Sequence, residues 1–105
     1  MEKNFLNCAK KFHECHLKNQ IKSANKYAKT MHSILNDVIK TPSYKQFLDN
    51  ILLSENNIAL IWACTVCIEQ NYRKEDAIAI LQTLSSSKDE IVSRDAYMVL
   101  AVNIN

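Results

Sequence analysis

Residues 58–68 read Ile58-Ala-Leu-Ile-Trp-Ala-Cys-Thr-Val-Cys-Ile68, an apolar run interrupted only by Thr65. A helix of this composition, about 57–69, has no side to present to water and must be covered by neighbours all round. We therefore expect it at the centre of the molecule, with N-terminal helices on one flank and a last helix pair on the other. Because a membrane span needs about 20 apolar residues, the run is too short to be one. We expect a soluble protein.

The chain repeats itself around this run. When residues 44–68 are laid over 77–101, a shift of 33, apolar residues align with apolar residues. The aligned pairs are Leu48 with Leu81, Ile51 with Leu84, Ile58 with Ile91, Ala59 with Val92, Ala63 with Ala96, Val66 with Val99 and Cys67 with Leu100. A period in this range is typical of stacked two-helix units. It predicts an all-α superhelix of five or six helices in stacked antiparallel pairs.

The composition agrees with an all-helical chain. Its 105 residues contain no glycine and a single proline, so little interrupts a helix. We predict one domain, 1–105, made of an N-terminal helix pair (1–42) and two further pairs (43–70 and 74–103). The helices are expected at about 3–17, 21–40, 43–53, 57–69, 74–85 and 89–102.

The sequence also indicates which residues the first two helices bury and which residues cap the helix ends. The first helix is expected to bury Phe5, Ala9, Phe12 and His16, and the second Ile21, Ala24, Ala28, Met31, Leu35 and Val38. Asn19 is expected to end the first helix in the left-handed conformation. Thr41, or a Ser43–Gln46 capping box one turn later, is expected to cap the third helix, and Asp89, or a Ser87–Glu90 capping box, the sixth.

The charge is divided unevenly along the chain. The net charge is +2, yet residues 1–42 carry eight lysines against three acids, whereas 43–105 carry five basic residues against eight acids. The two halves should therefore present opposite charge to a partner. Six N-terminal lysines leave nucleic-acid binding open as the second hypothesis: Lys10, Lys11, Lys18, Lys22, Lys26 and Lys29.

The four cysteines, with no signal peptide ahead of them, indicate a reducing compartment, and we expect the cytoplasm. Cys64 and Cys67 form a CxxC behind Trp62, but they lie within an apolar helix rather than at an exposed helix start, which favours a core role over redox catalysis. Cys8 and Cys15, with His13 and His16, offer soft ligands. One continuous helix does not bring all four together, so we expect no metal and no other cofactor.

The second helices resemble those of HEAT repeats, in which an acid or amide is followed by an apolar residue, an alanine and a leucine-like residue at fixed spacing. Asp89, Val92, Ala96 and Leu100 fit that line, and Asn56, Ala59, Ala63 and Cys67 repeat it. Ser93 stands where HEAT repeats favour arginine, and Arg94 follows one place later. The run from Ser43 to Val102 is similar to a small family of uncharacterised bacterial HEAT-like proteins. This resemblance implies a HEAT/armadillo-like superhelix without enzyme activity, and for some members a role in toxin immunity.

Enzyme chemistry has little support in the sequence, because without glycine there is no P-loop, dinucleotide-binding turn or nucleophile elbow. Our first hypothesis is a non-enzymatic protein-binding module, with no catalytic residues, whose curved face is formed by helices four and six. The acidic C-terminal half suits a basic partner such as a toxin domain. The residues expected to bind it are Glu69, Asp89, Glu90, Arg94 and Asp95.

Overall fold

The computed structural model describes residues 1–104 and confirms an all-α architecture, with no strand in that part of the chain. Its six helices are α1 (Glu2–Leu17), α2 (Ile21–Val38), α3 (Tyr44–Leu52), α4 (Asn57–Glu69), α5 (Lys74–Leu84) and α6 (Glu90–Ile104). Short connections join α1 to α2, α3 to α4 and α5 to α6, and the members of each pair pack against each other. No helix within the described range is both long and apolar enough to cross a membrane.

Equivalent polar residues start the second helices of the two repeated pairs. The Asn56 side chain accepts a hydrogen bond from the Ala59 amide at 3.1 Å. Thirty-three positions later, the Asp89 carboxylate accepts hydrogen bonds from the amides of Ile91 at 3.0 Å and Val92 at 3.3 Å. Both side chains satisfy amides that lack a partner at the first turn of a helix. The sequence repeat is therefore also a repeat of local structure, and the predicted Asp89 cap is confirmed.

Asparagine closes two helices in place of glycine. Asn19 has φ 58° and Asn71 has φ 53°, both in the left-handed region. After α1, the Gln20 amide donates to the Cys15 carbonyl at 2.7 Å and the Asn19 amide to the His16 carbonyl at 3.1 Å. The same two-bond pattern follows α4. This is the Schellman arrangement, which satisfies carbonyls that the helix leaves free. The left-handed conformation predicted for Asn19 is confirmed.

Helix α4 lies at the centre, as the apolar run predicted. It packs against α1 and α3 on one side and against α5 and α6 on the other. Its buried residues face all directions around the helix axis: Ile58, Ala59, Ile61, Ala63, Cys64, Val66, Cys67 and Ile68. The core is continuous from α1 to α6, and the Cα radius of gyration of 12.9 Å is that of a compact chain of this length.

Several details differ from the sequence prediction, among them Ala28, which is half-buried instead of buried. In α1 the fourth buried residue is Cys15, whereas His16 is half-buried with its ring 4.6 Å from that of Phe12. Ile21 opens α2 beyond the reach of the core and is exposed. The Thr41 hydroxyl donates to the Val38 carbonyl at 2.7 Å, so it closes α2 instead of capping α3.

The N-terminal pair packs less regularly than the other two. Helix α1 contacts α2, α3 and α4, whereas the extensive packing of α2 is against α1. Helix α2 has no comparable packing against α4. The groove described next lies between these two helices.

Candidate binding groove

A groove with a volume of about 360 Å³ runs between α2, α4 and α6. Each of these is the second helix of its pair, and each contributes a stretch of its surface to the walls. Helix α4 forms the floor, with α2 on one side and α6 on the other. Volumes of this size between helices are typical of binding sites in helical proteins.

Equivalent positions of the repeat line the groove on α4 and α6. Three pairs of residues related by the shift of 33 face it: Trp62 with Asp95, Thr65 with Met98, and Val66 with Val99. The groove is therefore a product of stacking like helices side by side, as extended binding surfaces are in repeat proteins. Helix α2 completes it with His32, Leu35 and Asn36, together with Ile39 directly after the helix.

The floor of the groove is apolar, and Trp62 is its largest side chain. Its indole is half-buried, with the ring of Phe12 at 6.3 Å beneath it and the ring of His32 at 6.1 Å beside it, both edge to face. Ile61 and Val66 extend the apolar floor along α4. A tryptophan fixed from below and open above is a rigid anchoring surface of the kind that dominates protein interfaces.

Two carboxylates, those of Glu69 and Asp95, give the groove its charge. Glu69 is exposed at the end of α4, and Asp95 is half-buried on α6. No lysine or arginine is found among the described residues that line the groove. The guanidinium of Arg94 lies 3.6 Å from the Asp95 carboxylate, but it is largely exposed and stays outside the lining. The groove is therefore apolar below and acidic at its edge.

The structure places two of the five residues predicted to bind a partner in the groove and three outside it. Glu69 and Asp95 come together in the groove. Glu90 and Arg94 are exposed on α6 and do not line the groove. Asp89 lies at the start of α6, away from the groove, where its carboxylate already has partners.

The contacts of the Asp89 carboxylate with these partners connect α6 to α1. Besides capping α6, its carboxylate is 2.6 Å from Nε2 of His13 on α1, so it joins the first helix to the last. Burial raises the pKa of the Asp89 carboxyl, but the hydrogen bonds from the Val92 amide, His13 and the Ile91 amide outweigh it and hold the pKa below its ordinary value. The geometry thus gives Asp89 a structural role.

The sequence predicted only Glu69 and Asp95 among the lining residues and missed, among others, Trp62, Met98 and His32. Trp62 was expected to be covered with the rest of the apolar run, and no binding role was predicted for His32 or Met98. A signal was present for Trp62, since the repeat aligns it with Asp95, and a position that accepts an acid in one repeat is not a closed core position. No comparable signal existed for His32, because α2 lies outside the repeated segment.

The cysteine pairs lie away from the groove. Cys64 and Cys67 are fully buried; burial raises the pKa of the Cys64 thiol to about 12 and that of the Cys67 thiol to about 11. Both shifts oppose thiolate formation, on which cysteine reactivity depends. Cys15 is buried and Cys8 is half-buried on α1. Within residues 1–104 no three side chains of histidine, cysteine, aspartate or glutamate converge as metal ligands do.

The six lysines of the second hypothesis, Lys10, Lys11, Lys18, Lys22, Lys26 and Lys29, are all exposed on α1, α2 and their turn. None of them lies within 4.0 Å of a carboxylate in the described part of the chain. The molecule therefore has a basic end, made by the first helix pair, and an acid-edged groove. Comparison with models of known protein families, with characterised proteins and with solved structures finds no match.

Proposed function

We propose that this protein is a non-enzymatic, HEAT-like protein-binding module, and that the groove between α2, α4 and α6 holds a basic segment of its partner. The observation that carries the proposal is the combination of an apolar floor with two carboxylates and no lysine or arginine among the described residues of the lining. Such a surface matches a segment with apolar side chains on one side and lysine or arginine at its edge.

The HEAT-like part of the proposal is supported by the repeated pairs. Helices α3–α4 and α5–α6 have second helices that begin at equivalent positions, 57 and 90, behind equivalent capping residues. Helices α4 and α6, the second helices of these two pairs, pack against each other. Stacking of this kind generates a superhelix when it continues.

The biological role that we propose is neutralisation of a basic toxin domain in a bacterial cytoplasm. Two observations support it. The acidic edge of the groove would steer and hold a basic protein such as a nuclease domain. All four cysteines are free thiols, three of them buried, as is usual in a reducing compartment.

A pull-down from the native host tests the proposal with two charge variants. The groove-reversal variant carries Glu69→Lys and Asp95→Lys; the control-reversal variant carries Glu55→Lys and Glu75→Lys, two exposed acids outside the groove. Both change the net charge equally. We expect the wild type and the control to retain the same basic protein, and the groove-reversal variant to lose it. Each candidate is then expressed alone and its affinity for all three baits is measured.

A loss of at least about tenfold in affinity for the groove-reversal variant alone is expected, because two attractive contacts become repulsive. Equal affinity for all three baits would overturn the assignment of the groove. Recovery of RNA or DNA alone, released by nuclease and weakened steeply by salt, would instead favour nucleic-acid binding through the exposed N-terminal lysines.

A further inference from the structure

The turn between α1 and α2 carries exposed apolar side chains among lysines. Leu17 is 64% exposed at the end of α1, and Ile21 is 47% exposed at the start of α2. Lys18 and Lys22 are exposed beside them. We call these four residues the tip. Apolar side chains flanked by cations are the complement of the groove, which is apolar below and acidic at its edge.

The tip cannot reach the groove of its own chain. Helix α2 runs without interruption from Ile21 to Val38, and it carries the tip at its first residue and the groove wall from His32 onward. Eleven residues of helix separate the two, roughly 16 Å at 1.5 Å per residue. Because both belong to one rigid helix, only the tip of another molecule can occupy the groove.

We propose that the protein self-associates head to tail, with the tip of one copy seated in the α2–α4–α6 groove of the next. In this contact Leu17 and Ile21 lie on the apolar floor over Trp62, and the lysines of the tip face Glu69 and Asp95. The two surfaces are different, so the contact is heterologous, and each added copy leaves one tip and one groove free.

The exposed face of α6 extends the receiving surface. Met98, which lines the groove, is 55% exposed, and Val102, one turn further along the same face, is 80% exposed. Two exposed apolar residues next to the groove enlarge the area that a tip can cover. The contact is still small, and we expect a dissociation constant on the order of 100 μM.

This inference rests on the groove proposed above as the partner site and adds a regulation to it. A tip seated in the groove competes with the partner, so free protein at high concentration is partly closed to binding. The two proposals fail separately, since self-association is measured on the purified protein alone, without any partner.

The experiment uses sedimentation equilibrium of the full chain and two variants. The tip variant carries Ile21→Glu and Lys22→Glu; acids in the first turn of α2 suit the helix dipole, so the variant is expected to fold. The groove-reversal variant, Glu69→Lys with Asp95→Lys, has an intact tip. Far-ultraviolet circular dichroism checks that each variant retains the helix content of the wild type.

We expect the wild type to form species larger than dimers with rising concentration, less so at high salt, and each variant alone to stay monomeric. Mixed, the variants should associate again, because the intact tip of one variant meets the intact groove of the other, whereas each variant alone has only one of the two surfaces intact. The control-reversal variant should behave as the wild type. A wild type that stays monomeric to about 1 mM, ten times the expected constant, overturns the proposal. A variant that still self-associates, or a mixture that does not, also overturns it.

Discussion

Substitution of one isoleucine by alanine at two equivalent positions should have unequal effects, because only one of them is enclosed. Ile58 on α4 and Ile91 on α6 are related by the shift of 33 and occupy the same place in their helices. Ile58 is 2% exposed on a helix that packs against α1, α3, α5 and α6, whereas Ile91 is partly buried on a helix that packs against α4 and α5. The variants Ile58→Ala and Ile91→Ala therefore compare a central with a terminal repeat.

The size of each effect follows from the burial. Alanine removes three carbons, worth about 0.8 kcal/mol each when fully buried, and the cavity left behind adds to the loss. We expect Ile58→Ala to lower the free energy of unfolding by about 3 kcal/mol. At Ile91 part of the side chain already contacts water, so the expected loss is about 1 kcal/mol. The difference corresponds to roughly 8–16 °C in Tm for a chain of this length.

Urea unfolding followed by circular dichroism at equilibrium measures both losses. Equal slopes of free energy against urea for the wild type and both variants would show that the midpoints report stability. Losses of equal size at the two positions would refute the central placement of α4, since they would mean that both side chains have the same surroundings. A larger loss at Ile91 would refute it more strongly.

Three further predictions concern the cap of α4, the stability of the fold at acid pH and the reactivity of the buried thiols. Asn56→Ala should lower the free energy of unfolding by at least about 1 kcal/mol, because it removes both the cap and the hydrogen bond that the Asn56 amide donates to the Leu6 carbonyl. Asn56→Ser, which keeps a capping oxygen, should lower it by less, and equal losses would contradict the cap. Since the pKa of Asp89 is lowered in the folded state, its carboxylate stabilises the fold above the unfolded-state pKa of about 3.9, and this contribution is lost as pH falls through the folded-state value. Urea midpoints measured across this range should therefore fall less steeply for Asp89→Asn than for the wild type, and parallel curves would contradict this. Cys64 and Cys67 should react with a thiol reagent far more slowly than half-buried Cys8, and as fast as Cys8 in denaturant; rapid native-state labelling, located by mass spectrometry, would contradict their burial.

Much of the fold follows from local patterns in the sequence. The apolar run predicted α4 at the centre, because the apolar side chains of such a helix must be covered by other helices. The repeat located α6 from α4, and side-chain chemistry located the caps at Asn56 and Asp89. Ile21 was misjudged because periodicity along a helix does not show where the neighbouring helix ends.

The site was predictable only in part, since it depends on how far apart the helices lie. Glu69 and Asp95 were chosen for charge on the outer sides of α4 and α6, and both line the groove. Asp89 met the same criterion, yet its carboxylate is engaged by His13, a residue distant in sequence. The contribution of α2 comes from its separation from α4, a tertiary property that no local pattern contains.

The central position of α4 also determines how the molecule can be divided. Helices from both ends of the chain pack against α4. Cleavage of the loop between α4 and α5 therefore leaves each fragment with only part of the shared hydrophobic core. Separated fragments would expose apolar surface and regain their structure only on recombining. The two sequence repeats and the N-terminal helix pair thus share one hydrophobic core, so the cooperative unit is larger than the repeat.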